Sequence, residues 1–191
     1  MTFSKTFYRA AMGFAAALVF SASAFAQSTI LVVDTGRVLR DSDVGKHIAR
    51  QLETIGKSME AEAKAKVSPL ESKGKSLEAQ LKGQTAQSLQ TNTALQQQIK
   101  TFRADQQKVA IDVQYKQQEM KITEAKAVQK VQERLRTILK TIVAERNADV
   151  VLERSLVIYG DPVDVTDTVI SRLNSQMKTV PVTRERLPRK S

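Results

Sequence analysis

Hydrophobic and polar positions follow two different patterns along this chain. Two short runs rich in β-branched and aliphatic residues, at 30–34 and 150–160, enclose a long stretch at 44–146 in which apolar residues recur every three or four positions. The runs are typical of strands, and the long stretch is typical of amphipathic helices. Because the chain must leave the strands and return to them, we expect the helical stretch to be an arm that projects from a small β body.

The helical pattern is interrupted twice. Residues 83–92 (GQTAQSLQTN) lose the apolar repeat and predict the tip of a helical hairpin. Pro69 lies in the first helix, where proline removes a backbone donor and clashes one turn back. Ser68 and Glu71 around it also fit a capping box. A kinked helix and a helix that stops and restarts both fit this pattern, and both predict a hinge near Ser68.

The body is predicted from what remains on either side of the arm. Residues 27–43 carry a strand and a short helix that Asp34 can cap, and Ser42 is a plausible cap for the long helix. Residues 147–176 predict a β-hairpin and a last helix. A body of this size buries too little surface to be stable alone. We therefore expect an α+β oligomer whose subunits share one β core.

The residues expected to form that shared core are the apolar members of the strands. They are Ile30, Val32, Val151, Leu156 and Ile158.

The two ends of the chain differ from the rest. Residues 1–26 combine Lys5 and Arg9 with a short apolar run at 10–20 and the small-residue site Ala24-Phe25-Ala26. This pattern is typical of a cleaved signal peptide, so we expect export to the periplasm. Residues 177–191 hold two prolines and five basic residues against one acid, and they predict a disordered tail.

Charge is concentrated on the arm. The chain has a net charge of +10, and residues 44–146 contain 19 Lys and Arg against 11 Asp and Glu. A basic surface attracts anionic partners and speeds their encounter in a salt-dependent way. The residues expected to face such a partner are Lys64, Lys66, Lys73, Lys75, Lys82, Lys100, Phe102, Arg103 and Lys108.

Candidate chemistry is sparse. The chain has no cysteine and one histidine, His47, which we interpret as a surface residue, and it shows no cluster of ligands spaced for a metal. The two Gly-Lys-Ser strings, at 56–58 and 74–76, lack the earlier glycine of a phosphate-binding loop. We expect neither enzymatic activity nor a cofactor, and no nucleic acid partner for an exported protein.

Both ends of the body carry a family resemblance. The strings ILVVDTGRVLRDSDVGK (30–46) and ADVVLERSLVIYGDPVDVTDTVISRLN (148–174), with the long basic hairpin between them, resemble the OmpH/Skp family of periplasmic chaperones. The clearest matches are Val33-Asp34, Arg37-Val38-Leu39, Gly45-Lys46 and residues 164–167. The arm matches by length and composition, and Pro69 and the C-terminal tail depart from the family pattern.

The resemblance implies a fold and a function. It implies a jellyfish-shaped homotrimer with a small β body and three helical-hairpin arms around a cavity. It also implies an ATP-independent holdase that captures unfolded outer-membrane proteins and prevents their aggregation. The alternatives are a structural or adaptor coiled-coil protein of the envelope, and a protein that binds lipopolysaccharide or another anionic lipid surface through its basic residues.

Overall fold

The computed structural model describes residues 28–189, so the predicted signal peptide lies outside the described residues. The described residues form a small sheet and five helices, and their fold is α+β with helix predominating. The elements are β1 (Ile30–Val33), α1 (Thr35–Asp41), α2 (Asp43–Leu81), α3 (Ala86–Thr91), α4 (Thr93–Arg146), β2 (Val150–Glu153), β3 (Val163–Asp164) and α5 (Thr166–Gln176), with a 3-10 turn at Arg154–Leu156.

The sheet has three parallel strands in the order β2-β1-β3. Leu31 lies opposite Val151 on one side and Val163 on the other. The β-hairpin predicted within 147–176 is therefore wrong. The chain turns away from the sheet at 154–156 and returns only at Val163, because β1 is the central strand and offers a hydrogen-bonding edge on each side.

The core joins the body to the base of the arm. One side chain from each of several elements is almost fully buried in it, including Leu31 of β1, Val38 of α1, Val44 of α2, Ile142 of α4 and Leu173 of α5. The last turns of α4 present a broad apolar face, and the body covers it. The base of the arm is thus fixed to the sheet by buried apolar contacts.

The helix caps follow the sequence closely. Asp34 accepts a hydrogen bond from the backbone N–H of Arg37 at 2.6 Å, and Ser42 accepts one from the backbone N–H of Gly45 at 3.2 Å. Both predicted caps are confirmed. The last helix begins at Thr166, whose backbone N–H donates to Asp164 Oδ1 at 2.8 Å.

The first arm helix runs through Pro69 without a break, from Asp43 to Leu81. The interpretation that it stops and restarts is therefore wrong. Ion pairs to α4 lie on both sides of the proline, Lys66 to Asp112 and Lys73 to Asp105, each at 2.8 Å. These contacts hold the two sides of the proline against one partner helix. The hinge near Ser68 stays a prediction.

The tip of the arm contains a short helix that the sequence pattern did not show. Within the predicted tip, Gly83 adopts a φ of 91°, which glycine tolerates, and α3 follows. Thr85 and Ser88 cap α3 reciprocally. Asn92 then caps α4 by accepting from the backbone N–H of Leu95 at 3.0 Å.

Candidate functional site

One face of the body is apolar and uncovered. Ile158 and Tyr159 are 100% and 98% exposed, and Leu156 is 67% exposed. These residues belong to the segment that leaves the sheet after β2, and Ile30 and Val163 border the same hollow. A contiguous apolar face on a small body marks a surface that contacts another molecule.

The residues predicted for the shared core separate into two groups. Ile30, Leu156 and Ile158 lie on this apolar face. Val32 is completely buried within the subunit, and Val151 is partly buried against the subunit's own core. Val32 is covered because it lies within the central strand, where residues 157–162 line the hollow beside it, whereas Ile30 lies at the exposed start of that strand.

The basic residues predicted to face a partner also differ in their surroundings. Three of the lysines form ion pairs: Lys66 with Asp112, Lys73 with Asp105 and Lys82 with Glu78. The hydrogen bond from Lys73 lowers the pKa of Asp105. Lys66 and Lys82 stay exposed despite these pairs, and Lys64, Lys75, Lys100, Arg103 and Lys108 are exposed as well.

Phe102 lies in the seam between the two arm helices. Its ring atom Cζ is 3.1 Å from the position that a Cβ on Gly74 would occupy, and the side chain is partly buried. A glycine on α2 therefore makes room for an aromatic ring on α4. This location favours a packing role for Phe102 over the client-facing role that the sequence suggested.

The middle of the arm contains a charged network. Lys116 Nζ of α4 donates to Glu62 Oε2 of α2 at 2.5 Å. The side chain of Lys116 is only 8% exposed. Arg184, from the C-terminal segment, donates to Glu62 Oε1 at 2.8 Å and to Glu119 Oε2 at 2.7 Å. Lys116 first and Arg184 second hold the pKa of Glu62 at about 2, below its ordinary value of 4.5.

The C-terminal segment, residues 177–189, lies against the arm instead of being a disordered tail. Val180 is buried, and its carbonyl oxygen lies 3.1 Å from His47 Nε2. Further along, the backbone N–H of Glu185 donates to Thr123 Oγ1 at 2.9 Å, and Arg189 pairs with Asp112. The prediction of disorder failed because it judged the segment by its own composition, whereas the buried partners lie on the arm. For the same reason His47 is partly covered and is not a free surface residue.

The Glu62 network predicts a defined acid sensitivity. The pKa of Glu62 is lower in the folded state, so its contribution to stability is present above about pH 4.5 and is lost as the pH falls towards 2. We expect the difference in unfolding temperature between the wild type and Glu62→Gln to shrink across that interval. Unfolding followed by circular dichroism at a series of pH values measures it.

The matched control for this measurement is Glu60→Gln. Glu60 is exposed on the same helix, two residues away. Its substitution removes the same charge from an exposed side chain, so it reports the effect of the charge alone. A Glu62→Gln difference that stays constant with pH would contradict the role given to the network.

The fold defines a class of protein in which a small sheet anchors a long antiparallel helical hairpin. This body-and-arm protein has an apolar face on the body and exposed basic residues on the arm. The chain belongs to the OmpH-like family: the family model, described as outer membrane protein (OmpH-like), matches residues 29–173. The family resemblance inferred from residues 30–46 and 148–174 is therefore confirmed. Residues 177–191, including the segment on the arm, lie beyond the matched region.

A solved structure supports the same assignment. The chain is similar to a protein from Caulobacter crescentus CB15 whose crystal structure bears the provisional description of an outer membrane chaperone (OmpH-like). The two share 28% identity and a TM-score of 0.69 over 84% of this chain and 92% of the other. No curated protein matches the chain. Family and neighbour together support a chaperone-type function at the level of the family.

Among residues 28–189, none of the helices combines the length and the apolar character needed to cross a bilayer.

Proposed function

We propose that this protein is an ATP-independent holdase chaperone of the periplasm. Three copies associate through the apolar face of the body, and their arms enclose an unfolded outer-membrane β-barrel protein and prevent its aggregation. The observation that carries the proposal is the long arm itself, whose surface away from the body is exposed and basic at Lys64, Lys75, Lys100, Arg103 and Lys108. The family match supports the chaperone class.

The body face supports association between copies. Ile158, Tyr159 and Leu156 expose their side chains beside a sheet of only three strands, whose outer strands β2 and β3 are short edges. An exposed apolar face and open sheet edges are both stabilised by a second copy. Association also compensates for the small core, because each added copy removes apolar surface from water.

The arm supports capture by many weak contacts. Strands of an outer-membrane barrel alternate apolar and polar residues and aggregate when they are unpaired. A client of this kind offers no single large feature to a deep pocket. A basic surface increases the rate of encounter with an anionic client, while enclosure between arms keeps one client from another.

An aggregation assay tests the proposal. An unfolded outer-membrane barrel is diluted from urea into buffer with the protein and without nucleotide, and light scattering is followed. We expect scattering to be suppressed at about one trimer per client, with the solution mass of three chains measured under the same conditions. Scattering equal to that with an inert protein of similar charge would reject the chaperone proposal.

The arm's charge predicts a salt dependence. We expect the rate of client capture to fall by about tenfold between roughly 0.01 M and 0.5 M salt, because mobile ions screen the basic surface. Stopped-flow fluorescence of a labelled client measures the rate, and sedimentation confirms that the solution mass is unchanged. A capture rate that does not vary with salt would remove the electrostatic part of the proposal.

The matched variants for this test remove five charges each. One carries glutamine at the exposed arm positions Lys64, Lys75, Lys100, Arg103 and Lys108. The other carries glutamine at exposed positions nearer the body, which are Lys130, Arg134, Arg136, Lys140 and Arg146. The first variant should capture clients more slowly than the second, since only its substitutions lie on the distal part of the arm.

A further inference from the structure

One face of α4 stays buried for most of its length, but its chemistry changes halfway. From Ala127 to Ile142 the buried positions are apolar and face the core. The buried positions nearer the tip are Asp112, Lys116, Glu119 and Thr123, which are 5%, 6%, 1% and 2% exposed. The spacing of three and four residues continues unchanged across the boundary. Two buried carboxylates in a helical hairpin cost free energy unless other groups hydrogen-bond to them.

The C-terminal segment supplies many of those groups. Arg184 donates through Nε and Nη2 to Glu119 Oε2 at 3.0 and 2.7 Å. Its third nitrogen, Nη1, reaches both carboxylate oxygens of Glu62 at 2.8 and 3.0 Å. The guanidinium therefore connects α2 to α4, and its side chain is only 13% exposed. Charged hydrogen bonds of this forked kind are among the strongest in proteins.

The backbone of the segment contributes as well. The N–H of Leu187 donates to Glu119 Oε1 at 3.2 Å, and the N–H of Glu185 donates to Thr123 Oγ1 at 2.9 Å. Lys126 pairs with the Glu185 side chain at 2.8 Å. Glu119 thus has hydrogen bonds on both carboxylate oxygens, and all of those named here come from the C-terminal segment.

The length and shape of the segment fit the groove. Val180 lies near the body and Arg189 lies at Asp112, and an extended chain of nine steps covers roughly 30 Å. About twenty residues of α4 cover the same distance at the helical rise. Burial alternates along Val180, Pro181, Val182, Thr183 and Arg184, as expected for an extended peptide with one side against a surface.

We propose that the groove between α2 and α4, from the level of Thr123 to that of Asp112, is a binding site for an extended arginine-bearing peptide, and that the chain's own C-terminal segment is its ligand. Docking of this segment holds the two arm helices together where their buried face is polar. The arm is consequently fixed from the body to about Asp112, and its mobility is confined to the part between that level and the tip. This inference does not depend on the chaperone proposal.

The charges explain why a basic segment docks on a basic arm. In this groove the carboxylates of Glu62, Asp112 and Glu119 meet Lys66, Lys116, Arg184 and Arg189. Two of these four cations come from the C-terminal segment, and without them the carboxylates outnumber the cations. The net positive charge of the arm therefore does not predict the charge of the segment that binds in this groove, because the lysines that make the arm basic lie mostly on other faces.

Hydrogen exchange in the full-length protein tests the inference without a variant. The backbone amides of Glu185 and Leu187 should exchange much more slowly than the same amides in a synthetic peptide of residues 178–189, since both are hydrogen-bonded to α4. Equal rates in the protein and in the free peptide would overturn the proposal.

A pair of single substitutions then tests the ligand's specificity. Arg184→Gln should accelerate amide exchange in residues 112–123 by about tenfold or more, the size expected for the loss of charged hydrogen bonds. Arg186→Gln removes the same charge two residues away at an exposed position, and it should change those rates less than twofold. Equal effects of the two substitutions would overturn the role of Arg184.

A double-mutant cycle separates the contact from general destabilisation. Glu119→Gln and Arg184→Gln should each accelerate exchange, but together they should accelerate it by much less than the product of the two factors, because both remove one interaction. Effects that multiply independently would show that the two side chains are not coupled. Sedimentation in parallel checks that the oligomer persists, so that failure here is distinguishable from failure of the chaperone proposal.

Discussion

Replacing Gly45 with alanine is expected to lower the free energy of unfolding by about 3 kcal/mol, the upper end of the range for an overpacked site. A Cβ at this position would lie 1.6 Å from the carbonyl oxygen of Leu39 and 2.6 Å from its carbonyl carbon. Both are backbone atoms, at the end of α1, and they cannot rotate away as a side chain can. Chemical denaturation at a fixed protein concentration measures the loss, since association contributes to the stability of an oligomer.

The control for this substitution is Gly56→Ala on the same helix. There the nearest atom to the new Cβ is the flexible Met120 Cε, at an ordinary contact distance of 3.5 Å. Alanine is favoured over glycine in a helix by roughly 0.5–1 kcal/mol, so Gly56→Ala should be neutral or stabilising. If Gly45→Ala were as stable as Gly56→Ala, the close approach of α1 and α2 at Gly45 would be disproved.

Replacing Ile158 with aspartate is expected to dissociate the proposed oligomer. Ile158 is fully exposed in the isolated subunit, so the substitution leaves the packing within the subunit intact. In an assembly that covers this face, the same substitution buries a charge. We expect the dissociation constant to rise at least about 100-fold, as it does for a central interface residue. Analytical ultracentrifugation over a range of concentrations measures it.

The matched control is Ile111→Asp, which places the same charge on an apolar side chain of the arm that is 44% exposed. This variant should keep the solution mass of the wild type. Dissociation of the Ile158→Asp variant should also remove protection against client aggregation, because a single arm cannot enclose a client. An Ile158→Asp variant with unchanged mass would show that this face is not the interface.

The two surfaces divide the proposed function between them. In that proposal the apolar face of the body assembles the copies, and the arms contact the client. The proposed docking of the C-terminal segment adds a third element, because it would fix the arm near the body and leave the distal part free. A chaperone of this construction would adapt to clients of different size through the distal part alone, around the predicted hinge near Ser68.

Local rules predicted the elements that depend on local sequence. The apolar repeat over 44–146 gave two long helices with a tip at 83–92, and the structure has α2 and α4 with a turn there. Asp34 and Ser42 were identifiable as caps because a cap needs only its own side chain and the next three residues. The strand at 30–34 was identifiable from its β-branched run.

Long-range pairing could not be predicted in the same way. The runs 150–152 and 156–159 are close enough in sequence to form a hairpin, yet the first pairs with β1 and the second leaves the sheet. Hydrophobic pattern does not distinguish antiparallel pairing with a near neighbour from parallel pairing with a strand 120 residues away. Only the position of β1 between its two partner strands decides which of these pairings forms.

The contacts between the C-terminal segment and α4 also depend on residues far apart in the sequence, and local patterns did not predict them. The spacing of Asp112, Lys116, Glu119 and Thr123 continues the buried stripe of α4, and that continuity was the available signal. Their charge hides that signal in the sequence, because most charged residues in proteins are exposed.

The sequence by itself determined the long helical hairpin, its caps and its tip, since each follows from propensity and periodicity over neighbouring residues. It also determined the excess of positive charge on the arm. Only the tertiary structure decided which strands pair, which apolar residues face outward at Leu156 and Ile158, and which carboxylates receive Arg184. Those features depend on residues far apart in the chain, whose proximity is fixed by the packing of the whole body and not by the pattern of any one segment.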